Sequence, residues 1–384
     1  MALVSSNKLA GDVLFIGVGL GGCRLTNSLQ KLGYECYYIN TATGDFDNLE
    51  DVDTNMTYPI PKSKGCDKNM ELAFNFASDY ISDIHNKIDS SYRKYTHIVF
   101  LFSLGGGTGA GIAPSLAQFF ASQYGDSKSV SLFGILPEKL DNAKSAQNAL
   151  TCLKYIEENC DGVKSKILLD NSQADKFEIN ERFAEQIDNL LSLPELQVDK
   201  VQANMKSADE RETLSLLSTE GYIYIARIDA PTGKHGDNEP YVIEGIEYIP
   251  EPEIRDCKEI AVSLSVDNIH DFNPEHLFKC FGRPLSDVKA GINDSETSYA
   301  YIFGTSLPQS VVDKLDKWLD EFEEEKKSIE NKKVTFGNKE RALFKKEEPK
   351  KSSSNPFAKK TTTPSSNPFA GKDALPLNNP FTKK

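Results

Sequence analysis

The first 170 positions alternate between short, unbroken apolar runs and stretches with a helical repeat. Residues 12–18, 36–39, 97–104, 130–136 and 167–169 are apolar runs of strand length. Residues 25–32 and 112–124 read as helices, and Gly33 stops the first. Residues 69–88 repeat helically and place Leu72, Phe76, Tyr80, Ile84 and Ile88 on one face. Continuous apolar strands alternating with helices predict an α/β fold, a parallel sheet covered on both faces. Residues 177–193 form one long amphipathic pattern closed by Pro194. The texture then turns β-rich at 222–228, 241–249, 260–266 and 299–304, with helical segments at 207–217 and 274–281. That predicts a second, smaller α+β domain. Residues 311–333 read as a charged helix with Val312, Leu315, Leu319 and Phe322 along one side. The expected organisation is a first domain over 1–176, a central helix over 177–196, a second domain over 197–310, the charged helix, and a disordered tail over 334–384.

Charge sharpens this division. The chain of 384 residues carries a formal net charge of −13, but residues 331–384 hold 13 basic and 4 acidic side chains. An acidic body with a basic tail disfavours nucleic-acid binding by the folded part and leaves it open to the tail. The tail repeats a short unit: Asn355-Pro356-Phe357, Asn367-Pro368-Phe369 and Asn379-Pro380-Phe381. Each is an aromatic anchor on a turn-prone dipeptide with lysine nearby, the layout of a multivalent ligand for a partner. No apolar run approaches the length of a membrane span, and the first residues lack a secretory layout. The seven cysteines are scattered, with no Cys-x-x-Cys pair, so neither a disulfide frame nor a zinc site is expected and a reducing cytoplasm is. His85, His97, His235, His270 and His276 show no ligand spacing, and no metal ligands are assigned.

Two glycine clusters each join a strand to a helix. Gly17-Val18-Gly19-Leu20-Gly21-Gly22 matches the dinucleotide pattern Gly-x-Gly-x-x-Gly. That fingerprint also wants an acid at the end of the second strand for a ribose, and Asn40-Thr41 stands there, which weakens an NAD-dependent oxidoreductase. The second cluster is Gly105-Gly106-Gly107-Thr108-Gly109-Ala110-Gly111, behind the strongest strand. Five glycines in seven positions leave many N–H groups available for an anion, and Thr108 adds a hydroxyl. No Gly-Lys-Ser/Thr follows, so this is not the common P-loop.

This second cluster resembles the signature glycine loop of the tubulin/FtsZ superfamily, and further motifs follow in order over roughly residues 12 to 310. The resemblance implies a GTP/GDP-binding domain, a central helix, a second domain and head-to-tail polymerisation, with Mg2+ accompanying the nucleotide. By it, Gly19, Leu20, Gly21, Gly22 and Arg24 wrap the diphosphate, with Asn40 in the polar turn after the second strand. Gly65, Cys66 and Asp67 lie in the loop near the γ-phosphate. Gly105, Gly106, Gly107, Thr108 and Gly109 hold the phosphates, and Asp141 is placed as the ribose acid. Asp170-Asn171 resembles the pair whose Asn171 reads the guanine edge. Phe177 stacks on the base and Asn180 bonds to it, with Glu181 as the competing alignment.

The stretch Pro194-Glu195-Leu196-Gln197-Val198-Asp199-Lys200-Val201-Gln202 is similar to the family's catalytic loop, which meets the γ-phosphate of the next subunit. Its first acid is Asp199, and Gln202 replaces the second. The resemblance then implies hydrolysis at a subunit junction, with Asp199 and Gln202 positioning water. Within the superfamily the basic tail favours the TubZ-type GTPases of plasmids and phages, whose filaments move or position DNA, over an FtsZ-like division filament. A DNA-bound adaptor is the partner this implies for the tail.

Overall fold

The computed structural model describes residues 8–195, 206–229, 241–253, 256–265, 272–293 and 295–330. The first half runs β1 (Val13–Val18), α1 (Gly19–Lys31), β2 (Glu35–Asn40), β3 (Thr57–Pro59), α2 (Met70–Ser91), β4 (His97–Ser103), α3 (Thr108–Tyr124), β5 (Ser129–Leu136), α4 (Ala143–Asn159) and β6 (Ser165–Asp170). Then come α5 (Lys176–Leu191), β7 (Lys206–Ser207), α6 (Glu210–Leu217), β8 (Gly221–Asp229), β9 (Val242–Gly245), β10 (Glu259–Ser265), α7 (Glu275–Phe281), β11 (Lys289–Asn293), β12 (Ser298–Thr305) and α8 (Gln309–Glu330).

One mostly parallel sheet carries all of this, in the order β3-β2-β1-β4-β5-β6-β8-β12-β10-β11-β7, with β9 on β8. The first six strands are parallel throughout. Every residue of β1 and β5 is buried, the signature of strands covered on both faces. β8 extends the sheet in parallel from β6, whereas β12 runs antiparallel to both β8 and β10. Strand order reverses between β1 and β4. Loops leaving those two strands therefore part to opposite faces and open a crevice at their carboxyl ends, where ligands of open α/β sheets bind.

Helix α5 buries Ile179, Phe183, Ala184, Ile187, Leu190 and Leu191. Phe183 meets Phe133 of β5 edge-on at 5.9 Å, and Gln186 O accepts from Tyr301 Oη of β12 at 2.8 Å. The helix thus bears on both the parallel strands and the antiparallel ones.

Helix α2 turns a different face inward from the expected stripe. Ile84 and Ile88 are buried, but Leu72 is exposed and Phe76 and Tyr80 are half-buried; Ala73, Phe74, Ala77 and Ile81 take their places. The reason is the close approach of α3. A Cβ on Gly111 would lie 2.6 Å from Met70 O and 2.7 Å from Ala73 Cβ, so only small residues fit this crossing. Among the described residues no helix is long and apolar enough to cross a membrane.

His97 opens β4 at the sheet end away from the crevice. Its ring is buried between Thr96 Oγ1 at 2.9 Å and Ser218 Oγ at 3.2 Å, and burial pulls its pKa down to about 4. Its folded-state pKa thus lies below its unfolded value of 6.5, so the native state resists protonation. Stability should be full above that value and fall as pH drops below it, by up to about 1.4 kcal/mol per pH unit. Urea unfolding between about pH 7 and pH 5 checks this, and His97→Gln should flatten the slope.

Candidate functional site

The crevice at the β1/β4 reversal holds a cavity of about 410 Å³. Two glycine turns form its floor. Gly19 has φ +71°, and a Cβ there would come within 2.9 Å of Gly109 N, so the two turns pack backbone to backbone. Gly22 lies off the cavity wall: its Cβ position is 2.0 Å from Leu101 O, so it lets α1 sit on β4.

Helix capping separates the two helices of this floor from their neighbours. α2, α4, α5 and α6 begin with a side chain accepting from the first turn: Asn69, Asn142, Asp175 and Asp209. α1 and α3 start at Val18 and Gly107 with no side-chain cap. Both unsatisfied N-termini open on the cavity wall, which presents free amides and positive helix-dipole ends to one place.

The side walls are polar. Thr108 Oγ1 and Thr41 Oγ1 are 2.6 Å apart, and Cys66 Sγ donates to Thr41 Oγ1 at 3.5 Å. Asn40 is tied down at the wall: its Oδ1 accepts from Thr41 N and its Nδ2 donates to Asp45 at 2.9 Å. The loop after Gly65 is tightly wound, with φ +91° at Gly65, +43° at Asp67 and +56° at Lys68. Lys68 Nζ donates to Ser145 Oγ at 2.6 Å and lies 3.8 Å from Asp141. Lys176 pairs with Glu138 at 2.6 Å. At the end formed by β6, Asn171 lines the cavity, and its Oδ1 is buried with no donor among the described residues. The walls hold the cations Arg24, Lys68 and Lys176 and the carboxylates Asp45, Asp67, Glu138 and Asp141.

Gly19, Leu20, Gly21, Arg24, Asn40, Gly65, Cys66, Asp67, Gly105, Gly106, Gly107, Thr108, Gly109, Asp141 and Asn171 thus come together around one cavity. Phe177 stands outside it, 61% exposed, with the Arg24 guanidinium 5.5 Å from its ring centre. Asn180 is buried in α5 and also off the wall. Asp199 and Gln202 lie outside the described residues. The structure adds Ser103, Glu138, Ser145 and Lys176 to the wall. Behind it stands Asn148 of α4, whose Nδ2 donates to Lys68 O at 2.9 Å and Gly106 O at 3.0 Å.

A donor-lined floor, three cations and an unpartnered acceptor at the far end fit an elongated, phosphate-bearing ligand with a hydrogen-bond donor on its other end. Residues 12–177 match the model of the Tubulin/FtsZ family GTPase domain. A tubulin-like protein TubZ of Clostridium botulinum C phage is 28% identical over 226 residues, 58% of this chain and 61% of the relative. The chain spans about six-tenths of the length of the curated relatives it matches. The structure of Clostridium botulinum phage c-st TubZ, truncated in its C-terminal tail, superposes with a TM-score of 0.70 at 22% identity, covering 83% of this chain and 99% of that one. A GTPγS-form protofilament of Bacillus thuringiensis serovar israelensis TubZ gives 0.67 at 16% identity, over 85% of this chain and 96% of that one. Residues 12–177 are therefore similar to the GTPase domain of the Tubulin/FtsZ family, and the chain has the tubulin-like fold of the TubZ proteins.

Proposed function

We propose that this protein binds GTP in the β1/β4 cavity, polymerises head to tail, and hydrolyses the nucleotide where the next subunit closes the site. The observation that carries the reading is the convergence on one cavity of two helix N-termini without side-chain caps and of Asn171, whose Oδ1 is buried with no partner among the described residues. The amides and Lys68 suit a chain of phosphates. Asn171 Oδ1 suits the donors on the edge of guanine, with Phe177 at the rim available to the base. Asp141 is the acid available to the ribose. A magnesium ion would be held chiefly by phosphate oxygens and would supply charge neutralisation. Among the described residues, Asp45 and Asp67 are the wall carboxylates outside any ion pair.

Catalysis in this reading is positional. Asp199 orients the attacking water from the neighbouring subunit, and Gln202 assists by hydrogen bonding. Assembly is supported by the protofilament formed by the Bacillus thuringiensis TubZ relative. A role in plasmid or phage DNA partition in the bacterial cytoplasm is supported by the phage origin of the TubZ relative and by the basic tail. Repeated Asn-Pro-Phe anchors would give that tail avidity for a DNA-bound adaptor.

The test is sedimentation and electron microscopy of the purified protein with GTP, ATP or NAD. Filaments are expected with GTP alone. Protein that fails to bind GTP, or that stays monomeric when saturated with it, overturns the reading. Asp199→Ala should keep the filaments and slow phosphate release; release at the wild-type rate would remove Asp199 from the mechanism.

A further inference from the structure

Asp170 ends β6 immediately before Asn171, and it is 6% exposed. A carboxylate so buried needs compensation. Part of it is local: Asp170 Oδ1 accepts from Ser172 N at 3.0 Å and from Ser172 Oγ at 2.6 Å, and Gln173 Nε2 donates to Oδ2 at 3.3 Å. These bonds wrap the chain around Asn171. The full counter-charge comes from 144 residues away. Lys314 Nζ of α8 donates to Asp170 Oδ2 at 2.5 Å and reaches Ser172 Oγ at 3.3 Å.

Helix α8 is held so that Lys314 stays there. Its first amides, Gln309 N and Ser310 N, both donate to the Glu253 carboxylate at 2.8 Å. The Lys314 ammonium lies 4.9 Å from the ring centre of Trp318. Glu321 pairs at 2.8 Å with Lys139, which neighbours the wall residue Glu138. Burial alone would push the Asp170 carboxyl up, but Lys314 and Ser172 outweigh it and keep the group below the usual carboxylate range.

We propose that Lys314 is a positioning residue for nucleobase recognition: by holding Asp170 it fixes the turn that carries Asn171 at the cavity wall. This rests on the guanine-nucleotide reading and adds a specificity determinant from outside the nucleotide-binding half. Lys314 touches no ligand; it acts through Asp170. Its loss leaves a buried carboxylate without its cation, so the 170–173 turn is expected to loosen while the phosphate-binding floor is unchanged.

The test uses the full chain in competition binding with GTP and with inorganic tripolyphosphate, which has phosphates but no base. Lys314→Ala should weaken GTP about five- to tenfold and leave tripolyphosphate unchanged, with Lys314→Arg within about twofold of wild type, the loss of one charge-assisted hydrogen bond. Adding Lys314→Ala to Asp170→Asn should cost nothing further. Emission from Trp318, the chain's single tryptophan, reports whether α8 remains docked in each variant. Equal GTP affinity in wild type and Lys314→Ala, equal losses for GTP and tripolyphosphate, or an undiminished effect in the Asp170→Asn background would each overturn the proposal. Wild-type protein that does not bind GTP would instead overturn the function on which it rests.

Discussion

Gly106→Asp protein is expected to fold with near wild-type stability and to bind GTP at least about a hundredfold more weakly. The two halves of this result have separate causes. A Cβ on Gly106 meets only Ser103 O, at 3.7 Å, an ordinary contact. Its neighbours are different. At Gly105 the added atom would lie 2.9 Å from Pro137 Cβ, and at Gly109 2.9 Å from Val18 O, so substitutions there disturb the fold itself. Gly106 is on the cavity wall, and packing does not explain its lack of a side chain. A ligand whose phosphates lie against the loop backbone does.

The magnitude follows from charge. A carboxylate about 5 Å from one phosphate charge, at an effective dielectric of about 20, costs about 3 kcal/mol, or roughly two orders of magnitude in affinity. Thermal unfolding and GTP binding on the same preparation check both halves. Gly106→Ala separates sterics from charge and should lose much less. A Gly106→Asp protein that binds GTP normally would remove the phosphates from this loop. One that unfolds would contradict the open space seen at this position.

The sequence announces the floor of the cavity much better than its walls. Both glycine loops are local: a strand, a turn and a helix start are contiguous in the chain, so their residue types declare the geometry. Thr108 is legible for the same reason. Ser145, Asn148 and Lys176 are not, because they reach the cavity only through tertiary packing. Helix α4 is the main omission from the pattern of apolar runs. Its signals were present: Asn142 caps it, and Ala146, Ala149, Cys152, Leu153 and Ile156 recur at helical spacing. They are weak because two of those five are alanines and the run begins right after a loop dense in charge. The stripe on α2 fails for a related reason. Large apolar residues outweigh small ones in a periodicity argument, yet close helix crossings select the small ones, as at Ala73 and Ala77. The link from Lys314 to Asp170 is the extreme case, since no local pattern ties residues 144 positions apart.

Asn148→Ala is expected to lower stability by about 2–4 kcal/mol and to weaken GTP binding about thirtyfold. The side chain is buried and its Nδ2 faces three carbonyls: Lys68 O at 2.9 Å, Gly106 O at 3.0 Å and Gly105 O at 3.4 Å. In a trans peptide the C=O and the N–H point to opposite sides. Turning the carbonyls of Gly105 and Gly106 toward Asn148 therefore turns the amides of Gly106 and Gly107 away from it. Among the described residues the Gly107 amide donates to no backbone carbonyl. Asn148 also ties down Lys68, which with Asp67 occupies the left-handed region at φ +56° and +43° without being glycine. Such a conformation costs about 1 kcal/mol or more per residue and persists only when its surroundings impose it. Alanine leaves these buried and part-buried carbonyls without their donor and releases both loops at once, so nucleotide must reorder them on binding. Asn159→Ala, which removes only a bond to Tyr155 O on the same helix, is the control and should change neither quantity. Lowered stability with intact GTP affinity would mean that Asn148 merely packs α4. Loss of affinity with stability intact would mean that the loops, not the core, depend on it. Retention of both would remove the tie as the reason these amides face a ligand.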